Sequence, residues 1–558
     1  MKKIKLHLAL IATAGVLSAP VFAQPLVIPP GGDAGALQQR QIDEERRRRE
    51  QERLAPPPAD PLKRPPAAIA SPPLMGATVK FEVREIRFTP SAILSVGDLE
   101  SVAVAYRGRL LTLDELQGLA DGVNALYREK GVVTALATLP PQDVSGGVIE
   151  VRLVEGRVGQ INISGNGTTR ESYIYSRVGL EPEALVDLKK LEEGLIWFNR
   201  TNDVSLQAEL KPGRQFARTD IDITAEEPAL QQGLITLDNL GSNLTGEWRL
   251  GTSYRNRSLF GFRDELSLSY TGAAGQESWA LSYAFPFNRW GGRLSLSSYD
   301  DRTAIKYGPL ASLNITGRSH ANVLGARQPV YVSNDLEVNL TAGAKQRDSS
   351  NFIGGVLLLR TDSNDASLGA EVQGNDKQSL WGLSYTYSQG RATVLGATSD
   401  FRIHRGSARY NRDLAGGLSM RANASWQLTR DRNLLSSEQF YVGGEGSVRG
   451  YGAGAYSGDQ GYVLNFELHH PVGTTSLGSS ELAATGFFFV DYGQTRPFRP
   501  PNSLLRASEH LTGVGWGVNA RLNKQSSLRL TLSHGLDKVP LAQNRGYQIT
   551  LQAITLLF

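Results

Sequence analysis

The chain has 558 residues, a formal net charge of +4 and no cysteine. So small a charge excess gives no reason to expect nucleic acid as a partner. A chain without thiols has neither a disulfide framework nor a thiolate metal site. Its 59 glycines, 19 tyrosines and 18 phenylalanines against 3 methionines lean towards strands and turns, and its length predicts more than one domain.

In chain order, residues 1–23 read as a secretory signal peptide. Lys2, Lys3 and Lys5 precede an apolar run to about Ala19, and small residues end at Ala23. That run is too short to span a bilayer and polar residues follow it. The mature chain is expected to start near Gln24, and no later run of eighteen apolar residues predicts a membrane helix. Residues 24–54 hold a short proline-glycine lead and then DAGALQQRQIDEERRRREQERL, a predicted helix with Asp33 as N-cap. Asp43–Arg47, Glu44–Arg48 and Glu45–Arg49 are expected i,i+4 pairs. Leu37, Ile42 and Leu54 make no continuous stripe, so this helix cannot pack on a hydrophobic core. It sits either in bulk water or in a polar, wet cavity. Its length of about 30 Å resembles the thickness of a bilayer's hydrocarbon core. Residues 55–77 are a proline-rich linker with no core-forming residues.

Two similar small α+β units follow. In residues 78–156, KFEVREIRF is a strand, a helical stretch surrounds Leu99 to Tyr106, and Thr112 with Glu115 forms a capping box. That box opens a helix with Leu116, Leu119, Val123 and Leu126 on one face and Gly131 at its end, before the strands VVTALATL and GVIEVRLVEG. In residues 157–229, RVGQINISGNG is a strand, Leu188, Leu191, Leu195 and Phe198 mark a helix, and VSLQAEL and TDIDITAE close the unit. The order β-α-α-β-β repeated over about 75 residues predicts tandem domains.

From residue 230 to 558 helical periodicity gives way to alternation, as in ELSLSYTG, SWALSYAF, RLSLSSY and LRLTLSHG. Trp279, Leu281, Tyr283 and Phe285 share one face of a strand; Ala280, Ser282 and Ala284 share the other. A soluble sandwich gives the same alternation, but one of this size would be unusually long. The exported address and the aromatic chain end at Phe558 favour an outer-membrane barrel of about sixteen strands. In the last strand Tyr547, Ile549 and Leu551 are out of phase with Ile554, Leu556 and Phe558, which predicts a bulge near Gln552.

One stretch of the barrel region breaks this texture: GGEGSVRGYGAGAYSGDQGY, residues 443–462, sets Arg449 in a run of glycines. In GFFFVDYGQ, residues 486–494, a carboxylate facing lipid would be costly. Asp491 therefore faces the lumen and takes Phe489 with it. A phenylalanine in a polar lumen implies that something packs on it. The glycines let a loop around residues 440–462 fold back tightly, and Tyr451 offers a flat apolar surface. Arg449 is then placed to meet Asp491 through two parallel hydrogen bonds, although periodicity supplies only the face of Asp491.

GGEGSVRGY, residues 443–451, resembles the VRGY loop motif of the two-partner-secretion transporters, the TpsB branch of the Omp85 superfamily. Phe489 to Asp491 match that superfamily's F-x-D strand motif, and LPPQDVSGGVIEVRLVEG, residues 139–156, is similar to its polypeptide-transport-associated (POTRA) domains. The resemblance implies a transmembrane antiparallel β-barrel of about 16 strands, preceded by two POTRA domains and an N-terminal plug-like helix. In such proteins the sixth extracellular loop enters the lumen. The lock residues are then Val448, Arg449, Gly450, Tyr451, Phe489 and Asp491. The helix, with Asp33, Arg40, Arg47 and Arg48, would plug the pore at rest. The expected activity is export of a large secreted β-helical exoprotein of TpsA type from periplasm to cell surface. Adhesins, haemolysins, contact-dependent toxins and haem-acquisition proteins are such clients. The POTRA domains would lie in the periplasm and bind the client by strand addition. The other expected partner is outer-membrane lipid, with the barrel a monomer or weak dimer. The alternative is an Omp85-type assembly factor that inserts β-barrel proteins into the membrane.

No enzyme, cofactor or metal is indicated. The chain has no G-x-x-x-x-G-K-[ST], H-E-x-x-H or G-x-S-x-G sequence. Gly450, Gly452 and Ala455 match G-x-G-x-x-A outside any βαβ context. His469 and His470, adjacent on a strand, point to opposite faces.

Overall fold

Sixteen antiparallel strands close into a barrel, from Gln231–Asp238 to Tyr547–Leu556, with the first strand hydrogen-bonded to the last. The computed structural model describes residues 31–53, 61–63 and 80–558, apart from 131, 133, 216, 479, 499–507, 524 and 540–545. The expected signal peptide, Leu54, most of the expected linker and Gly131 lie outside the described residues. The barrel forms because its strands alternate as a membrane wall requires. Trp279 and Leu281 are about half exposed on the outer face, whereas Ser278, Ala280 and Ser282 between them are buried towards the lumen. Strand length runs from 8 residues in Gln231–Asp238 to 20 in Val356–Asn375, so the wall is much taller on one side.

The bulge expected near Gln552 is absent. Tyr547–Leu556 pairs without a register shift with both Ser526–Gly535 and Gln231–Asp238. Ile554 and Leu556 simply continue the phase of Gln552, opposite Thr236 and Leu234. The apolar phase changes while the backbone keeps its register.

Before the barrel, two small sheets are each covered by two helices. The first holds Glu85–Phe88, Val148–Glu155 and Ala135–Thr138, against helices Val96–Ala103 and Leu113–Glu129. Thr112 and Glu115 make both halves of the capping box. The preceding helix starts earlier than its apolar residues suggest, because Ser95 and Asp98 form a second box. The Lys130 ammonium, together with the Ser95 cap, holds the Asp98 carboxyl down at about 2. Leu116, Leu119 and Val123 are buried in one core with Ile149 and Val151, and Leu126 packs partly against it. The second unit pairs Ser205–Pro212 with Arg218–Glu226 and the latter with Arg157–Ser164. Helices Glu171–Val178 and Leu188–Thr201 cover it.

The segment read as a bare linker contributes to this second core. Leu62–Lys63 adds a parallel strand to Ser205–Pro212, Ala208 N donates to Pro61 O at 2.8 Å, and Leu62 is buried among Val204, Leu206 and Leu210. An isolated leucine among prolines carries no periodicity, so no sequence pattern separates it from its neighbours.

The second unit docks on the periplasmic turns of the barrel. Arg263, buried and at φ +56°, donates through Nε to Asp203 Oδ1 at 2.9 Å, through Nη2 to Asp203 Oδ2, and through Nη1 to Thr168 Oγ1 at 3.2 Å. Ser258 Oγ donates to Thr168 O, Arg170 N to Gly261 O and Trp197 Nε1 to Trp290 O. Asp203 is about one-third exposed, so removing the guanidinium costs at most about 1.5–3 kcal/mol, the range for hydrogen bonds to a charged group. Arg263→Ala is expected to speed protease nicking between the periplasmic units and the barrel. The heat-modifiable gel mobility that reports a closed barrel should not change.

Candidate functional site in the barrel lumen

The segment 429–459 leaves the extracellular end of strand Ser419–Leu428 and returns at Gln460–Leu477. It carries a short hairpin, Phe440–Val442 with Tyr456–Gly458, whose tip lies inside the barrel. Val448, Arg449 and Tyr451 are all buried. Gly450 adopts φ +89°, and a Cβ there would stand 2.6 Å from Gly535 N. Both the backbone conformation and the approach to the wall therefore need glycine.

Arg449 reaches Asp491 on the wall strand Ser480–Arg496 through three donors. Its backbone N donates to Oδ2 at 3.1 Å, Nε to Oδ2 at 2.7 Å and Nη2 to Oδ1 at 2.8 Å. The guanidinium carbon lies 3.6 Å from the ring centroid of Phe489, a cation–π contact. A lumenal phenylalanine is thus occupied by the arginine itself. Tyr451, the expected partner for that ring, packs elsewhere. It joins Val442, Val448, Val463, Leu511 and Val539 in an apolar cluster; its Oη donates to Thr512 O at 2.9 Å and accepts from Asp537 N at 2.7 Å.

Four residues that sequence reasoning missed complete the site. Nη1 of Arg449 donates to Glu467, which also accepts from Arg529 Nη2 at 3.0 Å and lies 2.8 Å from His469 Nε2. Asn465 Nδ2 donates to Asp491 Oδ1 at 2.8 Å. Arg529 stacks on Phe487, with its guanidinium carbon 4.2 Å from the centroid, and stands 3.5 Å from Glu445 of the loop. A signal was present. Asn465, Glu467 and His469 share a phase of VLNFELHH, opposite Leu464, Phe466 and Leu468, and so face the lumen. Only 4% of the Arg449 side chain and none of the Asp491 side chain is exposed, so this pair lies at the dry end of the scale rather than in a wet intermediate. Breaking such a pair by removing one partner costs roughly 3–5 kcal/mol.

The helix Ala34–Arg53 also lies in the lumen. Asp33 caps it, accepting from Ala36 N at 2.7 Å, and also accepts from Asn351 Nδ2 at 3.1 Å. Two glutamines hold its first turns. Gln38 Nε2 donates to Asp301 Oδ2 at 2.8 Å and Gln38 Oε1 accepts from Arg347 Nε at 3.1 Å. Gln39 Oε1 accepts from Arg347 Nη2 at 2.6 Å. Arg347 also donates to Glu438 of the loop, which Lys345 and Arg405 bond as well. Arg40 lies 5.3 Å from the ring centroid of Tyr441, also on the loop. Arg47 meets the wall through its carbonyl, which accepts from Arg409 Nη1 at 2.9 Å. Arg48 lies 3.9 Å from Glu52 of the same helix. The pairs expected for Asp43, Glu44 and Glu45 with the arginines four residues on do not form, because most of these side chains turn to the wall or to water. Around the second half of the helix lies a cavity of about 1360 Å³, lined by Arg46, Arg49, Glu50, Arg255, Arg409 and Arg421 among others. Among the described residues no cluster of His, Asp and Glu is arranged to hold a metal ion.

Comparison with known proteins gives this geometry a context. Residues 217–520, more than half of the chain, match the family profile of the haemolysin secretion/activation proteins ShlB/FhaC/HecB. Residues 81–156 match the ShlB-type POTRA domain. The outer membrane transporter CdiB of Dickeya dadantii (strain 3937) is 29% identical over 412 residues, 70% of this chain and 72% of the relative. The heme/hemopexin transporter protein HuxB of Haemophilus influenzae (strain ATCC 51907 / DSM 11121 / KW20 / Rd) is 22% identical over 507 residues, 82% and 84% of the two chains. The solved structure of CdiB from Escherichia coli superposes with a TM-score of 0.64 at 22% identity, covering 94% of this chain and 98% of that one.

Replacing Arg449 leaves Asp491 and Glu467 facing each other without a cation between them. Arg449→Ala is therefore expected to displace the loop tip while the barrel stays closed. The displacement would be read as protease cleavage within residues 443–455 from outside intact cells, and closure as unchanged heat-modifiable mobility. Arg449→Lys should fall between Ala and wild type, because an ammonium cannot serve the Asp491 fork and Glu467 together.

Proposed function

The chain belongs to the ShlB/FhaC/HecB haemolysin secretion/activation family, and from that premise we propose how it exports its client: the lumen helix is a removable plug and the Arg449 loop is the part that is locked to the wall. The protein is an outer-membrane translocator that moves a partner protein from periplasm to cell surface. Its client would be one large secreted exoprotein of β-helical type, received unfolded by the two periplasmic units. Residues 78–156 and 157–229 serve as those receiving domains. The strand edge of Ala135–Thr138 can take an extended chain through backbone hydrogen bonds, which tolerates many sequences. Folding of the client outside the cell is the driving force in this reading.

The observation that carries the plug assignment is chemical. The helix Ala34–Arg53 occupies the lumen, yet no apolar stripe holds it there. Side-chain hydrogen bonds and ion pairs do, and each can be exchanged for water or for a passing chain. A part held mostly this way exposes on leaving only the small contact of Ile42 with Ala280, Tyr299 and Ala321. The lock assignment rests on the opposite property. Asp491 is wholly buried and accepts four hydrogen bonds, three from Arg449 and one from Asn465.

Three measurements test these assignments. Cells lacking this chain should lose one very large polypeptide from the culture supernatant, with other outer-membrane barrels at normal abundance. Depleted barrels with an unchanged supernatant would mean that the protein assembles barrels instead. Deleting residues 34–54 should raise conductance in planar bilayers severalfold, and unchanged conductance would remove the plug assignment. Arg449→Ala and Asp491→Ala should each lower secretion of the large polypeptide while the barrel inserts normally. Wild-type secretion by both would leave the lock without a role in transport.

A further inference from the structure

The plug helix meets the wall through its carboxylates more than through its arginines. Glu52 Oε2 lies 3.0 Å from Arg255 Nη1, and Glu50 Oε2 lies 3.0 Å from Arg409 Nη2. Glu45 accepts from Ser269 Oγ at 3.3 Å and from Tyr299 Oη at 3.2 Å. Of Arg46, Arg47, Arg48, Arg49 and Arg53, only Arg53 makes an ion pair with the wall, to Glu371 at 3.4 Å. From Glu45 to Arg53 the helix has three acids and five bases, so its own composition would favour the opposite bias. The wall does.

Five of the lumenal arginines within six residues of the periplasmic ends of their strands are Arg255 in Arg249–Asn256, Arg293 in Arg293–Ala304, Arg327 in Ile315–Val332, Arg409 in Ala397–Asp413 and Arg421 in Ser419–Leu428, while Arg529 in Ser526–Gly535 is already paired with Glu467. All five line the wet cavity. At the same level stand Glu265, Glu337 and Glu371, and opposite Arg421 stands Glu467, which Arg449 and Arg529 hold. Arg327 already holds two of them, Glu337 at 2.7 Å and Glu371 at 3.2 Å. Glu265 is 3.9 Å from Arg255. Arg293 donates to the carbonyls of Arg263 and Ala284, and among the described residues no wall carboxylate pairs with Arg409 or Arg421. Arg409 is only 8% exposed, and its one ionic partner is Glu50 of the plug.

We propose that this ring is a carboxylate-binding site for the transiting client, and that Glu50 and Glu52 occupy it at rest. The ligand is an extended polypeptide segment carrying Asp or Glu side chains. When the helix leaves, Arg409 and Arg255 lose their plug carboxylates, Arg255 keeping only Glu265 at 3.9 Å. Acidic side chains of an entering chain restore them. A charge ring of one sign at a constriction raises the local concentration of the opposite charge and sets which ions pass. The bonds remain exchangeable, since partly wet pairs hold weakly enough to be handed on. The inference rests on the translocator reading, but its test reads the site without any client.

The test uses the full chain in planar bilayers. Glu50→Gln with Glu52→Gln removes the resident carboxylates at nearly constant side-chain volume, and heat-modifiable mobility first establishes that each variant folds. Two results are expected of this double variant. It should open more often than wild type, and under a KCl gradient its open state should prefer chloride to potassium by about threefold or more. A twenty-residue poly-glutamate added on the periplasmic side should block it, and poly-lysine should not. Adding Arg255→Gln and Arg409→Gln should abolish both the chloride preference and the block. An open state that is unselective or cation-selective would overturn the proposal. So would a preference that survives the two arginine substitutions. Neither result would touch the translocator reading, which the supernatant comparison decides.

Discussion

The lumen of a closed barrel must be polar because the outer face has taken the apolar phase of every strand. That one constraint governs everything placed inside the wall. A loop or helix that enters such a lumen finds only small apolar patches to rest on, Val463 and Leu511 under the loop and Ala280, Tyr299 and Ala321 under Ile42, and must otherwise be held by hydrogen bonds and charge pairs. Desolvating a charge is costly unless its remaining hydrogen-bonding capacity is met. The stable solution is a network in which each carboxylate has several donors. Asp491 has Arg449 and Asn465; Glu467 has Arg449, Arg529 and His469. Phe487 and Phe489 fit the same logic, since each offers its ring face to a guanidinium that also serves one of those carboxylates.

The same constraint divides the helix in the lumen into two unlike halves. Residues from Asp33 to Gln39 are buried, and the polar ones among them are neutral except at the cap. Small residues allow this: Ala34 passes close to Gly317, and Gly35 to Ser349 and Ser437. Gln38 and Gln39 can bond a crowded wall without adding charge to it. Beyond Ile42 the helix is charged at almost every position and stands in a wet cavity, where each pair is worth about 0–1 kcal/mol. Attachment is therefore concentrated at the extracellular end, and the periplasmic half is held by exchangeable charge pairs such as Glu50 with Arg409 and Glu52 with Arg255.

Period-two alternation was enough to read the barrel and its approximate strand number, because the pleat imposes it on every strand regardless of partner. It also assigned the lumenal face of Asp491 and would have assigned Glu467 and Asn465 by the same rule. Helix signals were local in the same way: Thr112 and Glu115 are three residues apart and cap each other. What escaped was contact between distant segments. Nothing in the string of prolines marks Leu62 as the residue that enters the second core. Nothing in QQ at positions 38 and 39 announces Arg347, about three hundred residues later. The apolar shift in the last strand was visible, but it had two causes to choose between, a bulge and a change of surroundings. Only the register against both neighbours separates them.

One segment touches every movable part. Residues 429–459 carry Glu438, which is bonded by Lys345, Arg347 and Arg405; Tyr441, under Arg40; and Arg449, against Asp491. Arg347 bonds the glutamines of the helix with the same guanidinium that bonds Glu438. The helix therefore shares its strongest anchor with the loop rather than having one of its own. Drawing the helix out strips acceptors from Arg347 but leaves Glu438 with three cations, so the loop keeps its attachment. Moving the loop removes Glu438 and leaves Lys345, Arg347 and Arg405 with Asp365, 3.1 Å from Lys345, as the wall carboxylate among them, so like charges face each other in a region of low exposure. The two departures are unequal. Leaving the lumen is the cheaper step for the helix, and the loop's ionic attachments are those that bear on the wall itself.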